Sequence, residues 1–212
     1  MGRAVGRRRL LGGACLVTAL LPDGVAEDLL RRWSEPHRRY HGVGHLERGL
    51  VRLDQLGAGR LEKVAFWFHD AVHLGVSPVD EEASAELAGR SLAGVLTDQE
   101  VLEVARLVLV TVDHDPERGD RSAELISDAD LAEIASPWVR YERNAADIRA
   151  ERPDVDDEQW VAGRLVFIDR LLGRAEIFRT PQGRAWESEA RRNLARERSA
   201  LTTRPGSGRS GA

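Results

Sequence analysis

A chain of 212 residues with 42% apolar content is long enough to bury one sizeable core, so a single domain is expected. Its charged residues nearly cancel to a formal net charge of -4, which argues against a nucleic-acid-binding surface as the main function and leaves the substrate open. The lone Cys15 excludes an intramolecular disulfide framework and any multi-cysteine zinc site, so a metal here has to be held by His, Asp or Glu, and the chain fits a reducing compartment.

The first segment supports two readings. Arg7, Arg8 and Arg9 precede an apolar run from Leu10 to Leu21, and Gly24, Val25 and Ala26 could pass for a cleavage site, the pattern of an export signal. The run is too short to span a bilayer and two glycines interrupt it. Its leucines and valines serve equally as one face of a first helix, so residues 1–26 are read as an N-terminal segment with that helix, in a cytoplasmic protein without membrane contact.

Helical periodicity governs the rest. Leu29, Leu30 and Trp33 form one stripe, and Leu46, Leu50, Leu53 and Leu56 recur at threes and fours. Gly57 and Gly59 break that pattern. A helix is predicted over Leu61 to Val72, closed by Gly75 and Pro78, and another over Glu81 to Leu96. Thr97 and Asp98 are N-cap candidates, with Glu100 in the first turn, for the apolar segment Val101 to Val112. Leu125 to Ile134, Trp138 to Arg149, Glu158 to Leu172 and Trp186 to Leu201 follow, and no strand pattern competes. The expected fold is all-α, one helical domain over 27–201, with a Gly- and Ser-rich disordered tail over 202–212.

Four clusters of ligand-type residues stand out. In Tyr40-His41-Gly42-Val43-Gly44-His45 the two histidines are four apart and share a face if the segment is helical. His69 and Asp70 end the apolar run Val64 to Phe68, with His73 three residues on. His114 stands between Asp113 and Asp115, and Asp128 and Asp130 sit in an otherwise apolar segment, where a buried carboxylate needs a partner. A cation is the natural one: imidazoles and carboxylates suit a divalent ion, and a His/His/Asp/Asp set leaves coordination positions for water. At the end of its helix a protonated His114 is favoured by the dipole, where it could hold a phosphate or a second metal. Glu81 and Glu82 open a helix, where negative charge is favoured in any case.

The order of His, His-Asp and Asp on successive helices resembles the HD superfamily of metal-dependent phosphohydrolases. The blocks RRYHGVGHL, FWFHDAV, DEEASAELA, LVTVDH, SDADL, VAGRLVFIDRLL and WESEARRNL are similar, in the same order, to a bacterial subfamily of predicted HD phosphohydrolases, from about Glu27 to Leu201. The resemblance implies an all-α, single-domain HD-type bundle with metal ligands at His45, His69, Asp70 and Asp130. It favours Asp130 over Asp128. The first block is also similar to that of cyclic-nucleotide phosphodiesterases, which implies His41 as proton donor and His45 as ligand. Asp70 would also orient the attacking water, and His41, ordinarily titrating near neutrality, would protonate the leaving oxygen.

Glu81, His73, His114, Arg149 and Arg164 are expected at the substrate or behind the ligands. Arg38 and Arg39 are further phosphate candidates, and Arg164 could instead form a salt bridge to Asp130 or Glu187. His73 replaces a Tyr usual in the subfamily, and Arg152 an aromatic residue. The expected activity is hydrolysis of a small phosphate ester, a nucleotide or related metabolite, with manganese, cobalt, nickel, iron, zinc or magnesium as cofactor. The alternative is a non-catalytic HD-fold module that binds a nucleotide or effector.

Overall fold

Where apolar residues recur at threes and fours, the chain is helical. A computed structural model describes residues 21–203. The export-or-helix reading of residues 1–20 and the tail from 204 onward lie outside the described residues. Among the described residues the structure is all-α, with no strand: α1 (Asp23–Trp33), α2 (Val43–Leu56), α3 (Arg60–Phe68), α4 (Val79–Leu92), α5 (Asp98–Leu109), α6 (Arg121–Leu131), α7 (Trp138–Ala150), α8 (Asp157–Leu172) and α9 (Glu187–Thr203). No helix among them is long and apolar enough to cross a membrane.

Local signals set several boundaries. Thr97 closes a capping box with Glu100 at the start of α5, and Asp156 does the same with Gln159 at α8, each satisfying two amide donors that a helix start leaves open. Gly57, with φ of 77°, ends α2 in the left-handed conformation that glycine adopts without strain.

The core has two parts. In the larger, Phe66, Trp67 and Phe68 of α3 are all fully buried, so this short helix is apolar all round and is enclosed by α2, α4, α5 and α6. Burying each such side chain contributes about 1.5–3 kcal/mol. A Cβ on Gly49 of α2 would overlap the Phe66 ring, so the close approach of α2 to α3 requires glycine there. The smaller part gathers Tyr141, Ile168, Leu171, Ile177, Phe178 and Leu194 from α7 to α9 and the loop before α9, and Trp186 packs against both.

Three predicted helices end earlier than their apolar pattern does. The helix over Leu61 to Val72 stops at Phe68, so His69 and Asp70 lie on the turn that follows, not inside a helix. His69 itself keeps helical dihedrals, φ of -55° and ψ of -39°, and the chain leaves the helix after it. The helix over Glu81 to Leu96 stops at Leu92, before Gly94 with φ of 75°. The apolar stretch to Val112 passes from α5 into a 3-10 turn, Val110–Val112, and His114 follows with φ of 53°.

Candidate metal centre

The four expected ligands come from three segments of the chain. His45 is in the first turn of α2, His69 and Asp70 follow α3, and Asp130 is in the last turn of α6. His45 Nε2 lies 3.2 Å from His69 Nε2 and 2.9 Å from Asp130 Oδ1. His69 Nε2 lies 3.1 Å from Asp70 Oδ2 and 3.4 Å from Asp130 Oδ1. Ligand atoms of His45, His69 and Asp70 all fall within 4.8 Å of one another, a group that could hold a metal ion. His45 and His69 are buried, while the carboxylates also line a cavity.

The donor set fits a divalent cation. His69 Nδ1 is 2.8 Å from the Phe66 carbonyl and donates to it, which leaves the Nε2 lone pair pointing at His45. Two imidazole nitrogens and two carboxylates around one point need positive charge between them. Burial alone would lower the His69 pKa, but Asp70 and Asp130 outweigh it and hold His69 well above the usual histidine range. Burial would likewise raise both carboxylates, yet His69 and the neighbouring imidazoles keep them well below theirs. His45, desolvated and beside His69, is lowered and stays neutral, the form in which imidazole ligates a metal.

The surroundings fix this geometry. Trp33 of α1 donates from Nε1 to the Trp67 carbonyl at 3.0 Å, and its ring lies 5.4 Å from that of His69. Arg38, a phosphate candidate in the sequence, is buried; its guanidinium donates to the carbonyls of His41, Asp70 and Ala71 and to Glu35. It therefore clamps the α1–α2 loop to the His-Asp turn and is not available to a substrate. Arg39 is exposed.

A second group lies on the wall of the same cavity. His41 precedes α2 and is not on it, so it shares no helix face with His45; the bend brings their rings to 5.8 Å. His41 Nδ1 is 2.5 Å from Glu151 Oε2, His73 Nε2 is 3.5 Å from the same oxygen, and the His41 and His73 rings are 4.2 Å apart. Glu151 Oε1 accepts the backbone N–H groups of Arg39, Tyr40 and His41. Burial alone would raise the Glu151 carboxyl, but hydrogen bonds from His41 and His73 hold it far below the usual range. His41, which burial alone would lower, is raised by Asp70 and Glu151. These three residues form a further group able to hold a cation. His73 thus supports His41 and does not join His45 and His69.

The other expected residues divide. His114 lines the cavity with Nε2 3.5 Å from Asp130 Oδ2. The helix-dipole reading fails, because His114 lies beyond the 3-10 turn and its pKa is lowered by burial. Its left-handed backbone is held by Arg174, which donates to the Asp113 and His114 carbonyls, and by Ser127. Glu81 lines the cavity with a buried, unpartnered Oε2, and burial raises its carboxyl. Arg149 is a correction: it caps the end of α7 through the carbonyls of Arg152 and Val155 and pairs with Asp157, off the cavity. Arg164 does line the cavity, but its partner is Glu197 of α9, not Asp130 or Glu187.

Asp128 and Asp130 have separate tasks. Asp128, fully buried, accepts from the Arg179 and Thr180 amides and from Thr180 Oγ1, and so pins the loop before α9. Asp130 faces the imidazoles. Sequence reasoning missed Glu151, Trp33 and the clamping role of Arg38; only Glu151 of these carries a ligand-type side chain, and a Glu at a polar helix end gives no signal of burial. Comparison with protein-family models, with curated proteins and with solved structures finds no match to this chain.

Proposed function

We propose that the chain is a single-domain, HD-type metal-dependent phosphohydrolase that hydrolyses a small phosphate ester. The carrying observation is the convergence of His45, His69, Asp70 and Asp130 beside a cavity of about 480 Å³ that also presents the His41–Glu151 pair. His45, His69, Asp70 and Asp130 would hold a divalent cation, which would supply positive charge for the phosphoryl oxygens and lower the pKa of water toward neutrality.

The chain's own residues divide the remaining work. Asp70, ionised and at the cavity, is placed to orient the attacking water. Glu151 accepts a hydrogen bond from Nδ1–H of His41, which fixes the ring and stabilises its charged form. The proton at the other ring nitrogen is then the one His41 gives to the leaving oxygen, a step that contributes about 10²–10⁴-fold in rate. The buried aromatic wall of Trp33, Phe66 and Trp67 keeps water away from the rear of the ligands.

Elemental analysis coupled to a phosphatase screen tests this reading. The wild-type protein is expected to bind about one or two equivalents of a transition metal and to turn over phosphate esters; Asp70→Ala should lose both. Protein loaded with manganese, cobalt or nickel that hydrolyses no mono- or diester, while Asp70→Ala still binds the same nucleotide, would replace the enzyme with a binding module.

A further inference from the structure

The cavity continues beyond the metal ligands into a space between α7 and α8. Tyr141, Asn144 and Ile148 line it from α7, at helical spacings of three and four. Trp160, Gly163 and Phe167 do the same from α8. The two faces do not close on each other, although both are apolar for most of their length. A volume of about 480 Å³ is far more than a phosphoryl group fills and lies in the range of organic ligands.

The polar groups on these faces define what fits. Arg164 is spent on Glu197 and Arg152 on Asp154 and the Gly75 carbonyl. Glu151 is spent on three backbone amides and His41. Among the residues that α7 and α8 present to the cavity, no unpaired charge is left for a charged organic group. Asn144 Nδ2, by contrast, is buried without a partner, an unmade hydrogen bond that an acceptor on a ligand would complete.

Charge around the whole cavity limits the phosphate end. Six carboxylates line it, from Asp70, Asp80, Glu81, Asp130, Glu133 and Glu151, against two guanidinium groups and no lysine; with Glu133 paired to Arg48 and Arg140, five still outnumber the two. One divalent cation offsets a single phosphoryl group, but a di- or triphosphate would bring further anionic oxygens against an acidic wall with no free arginine to receive them. Resting on the phosphohydrolase reading above, we infer that the α7–α8 face is a recognition pocket for an uncharged, flat organic group bearing a hydrogen-bond acceptor for Asn144, and that the substrate carries one phosphoryl group.

Gly163 gives a clean test, because a Cβ added there meets nothing within 4 Å and leucine is well tolerated in helices. Manganese-loaded wild type, Gly163→Leu and Asn144→Leu would be titrated by calorimetry, and assayed for turnover, with 4-methylumbelliferyl phosphate, methyl phosphate and ATP. The wild type is expected to prefer 4-methylumbelliferyl phosphate over each of the others by about tenfold or more in Kd, and each variant to lose about tenfold of that preference while keeping its metal and helix content. Equal affinity for methyl phosphate, equal or tighter binding of ATP, no binding of the umbelliferyl ester, or a preference untouched in Gly163→Leu overturns the pocket. The preference without turnover sustains the pocket and defeats the hydrolase; turnover without the preference does the reverse.

Discussion

Gly49→Ala tests whether the metal ligands depend on the close contact of α2 and α3. In a helix interior alanine is favoured over glycine by about 1 kcal/mol, so propensity alone predicts stabilisation. The added Cβ would overlap the ring of Phe66, which is fully buried among Trp67, Phe68 and the leucines of α2 and has nowhere to turn. Overpacking of this kind costs about 1–3 kcal/mol, and the severity of the overlap puts Gly49 at the upper end. The net expectation is a loss of about 1–2 kcal/mol, a fall of about 0.5–1 M in urea midpoint for an m-value near 2 kcal/mol/M.

The same change should reach the site. His45 stands one turn before Gly49, and the Phe66 carbonyl holds His69 Nδ1, so any separation of the helices moves both imidazoles. A weakening of manganese binding by about tenfold or more, read by calorimetry, is expected. Gly163→Ala, with open space at its Cβ, is the control and should stabilise by up to about 1 kcal/mol. A midpoint for Gly49→Ala equal to or above wild type, with metal affinity unchanged, would refute the reasoning.

Asp128→Ala should lower stability by about 2–3 kcal/mol, since it strips the acceptor from two amides and a hydroxyl, yet leave manganese affinity within about twofold; Asp130→Ala should abolish metal binding. Equal metal loss in both would merge their roles. Manganese at about 100 times its Kd should stabilise the protein by about 2.7 kcal/mol, and a chelator should remove the whole increment in a thermal melt; a melt indifferent to both would refute a metal site at His45. The Glu151 carboxyl titrates lower in the folded protein than its ordinary 4.5, so its contribution to stability is full above that pH and is lost as pH falls toward the folded value. The gap in stability between wild type and Glu151→Gln should therefore close below about pH 4.5, and a gap independent of pH in denaturant titrations would count against the assignment.

The helices were legible because each rests on a local rule. Stripes such as Leu46, Leu50 and Leu53 and the Thr97–Glu100 box specify their helices with residues adjacent in the chain. Helix ends were less legible: apolar residues continue past Phe68 and Leu109, and periodicity cannot register that the backbone has turned. That matters most at His69 and Asp70, which stand just past the last residue of α3.

Glu151 marks where sequence reasoning stops. Arg149 and Arg152 stand close to it in the chain, and nothing local distinguishes it from the solvated acids of α7. What buries it is the bend at Arg39 to His41, whose three amides point at one carboxylate 110 to 112 residues away. The bend in turn is held by Arg38, whose guanidinium reaches back to the carbonyls of Asp70 and Ala71. Arg38 and Glu151 thus bind the same short loop from opposite sides, one through its carbonyl groups and the attached turn, the other through its amides. Arg38→Lys, which offers a single ammonium to carbonyls that a forked guanidinium spans, should misplace His41 and the His-Asp turn together. The expected result is a joint loss of metal affinity and turnover of about tenfold or more each; loss of turnover with metal binding intact would show that the clamp serves His41 alone.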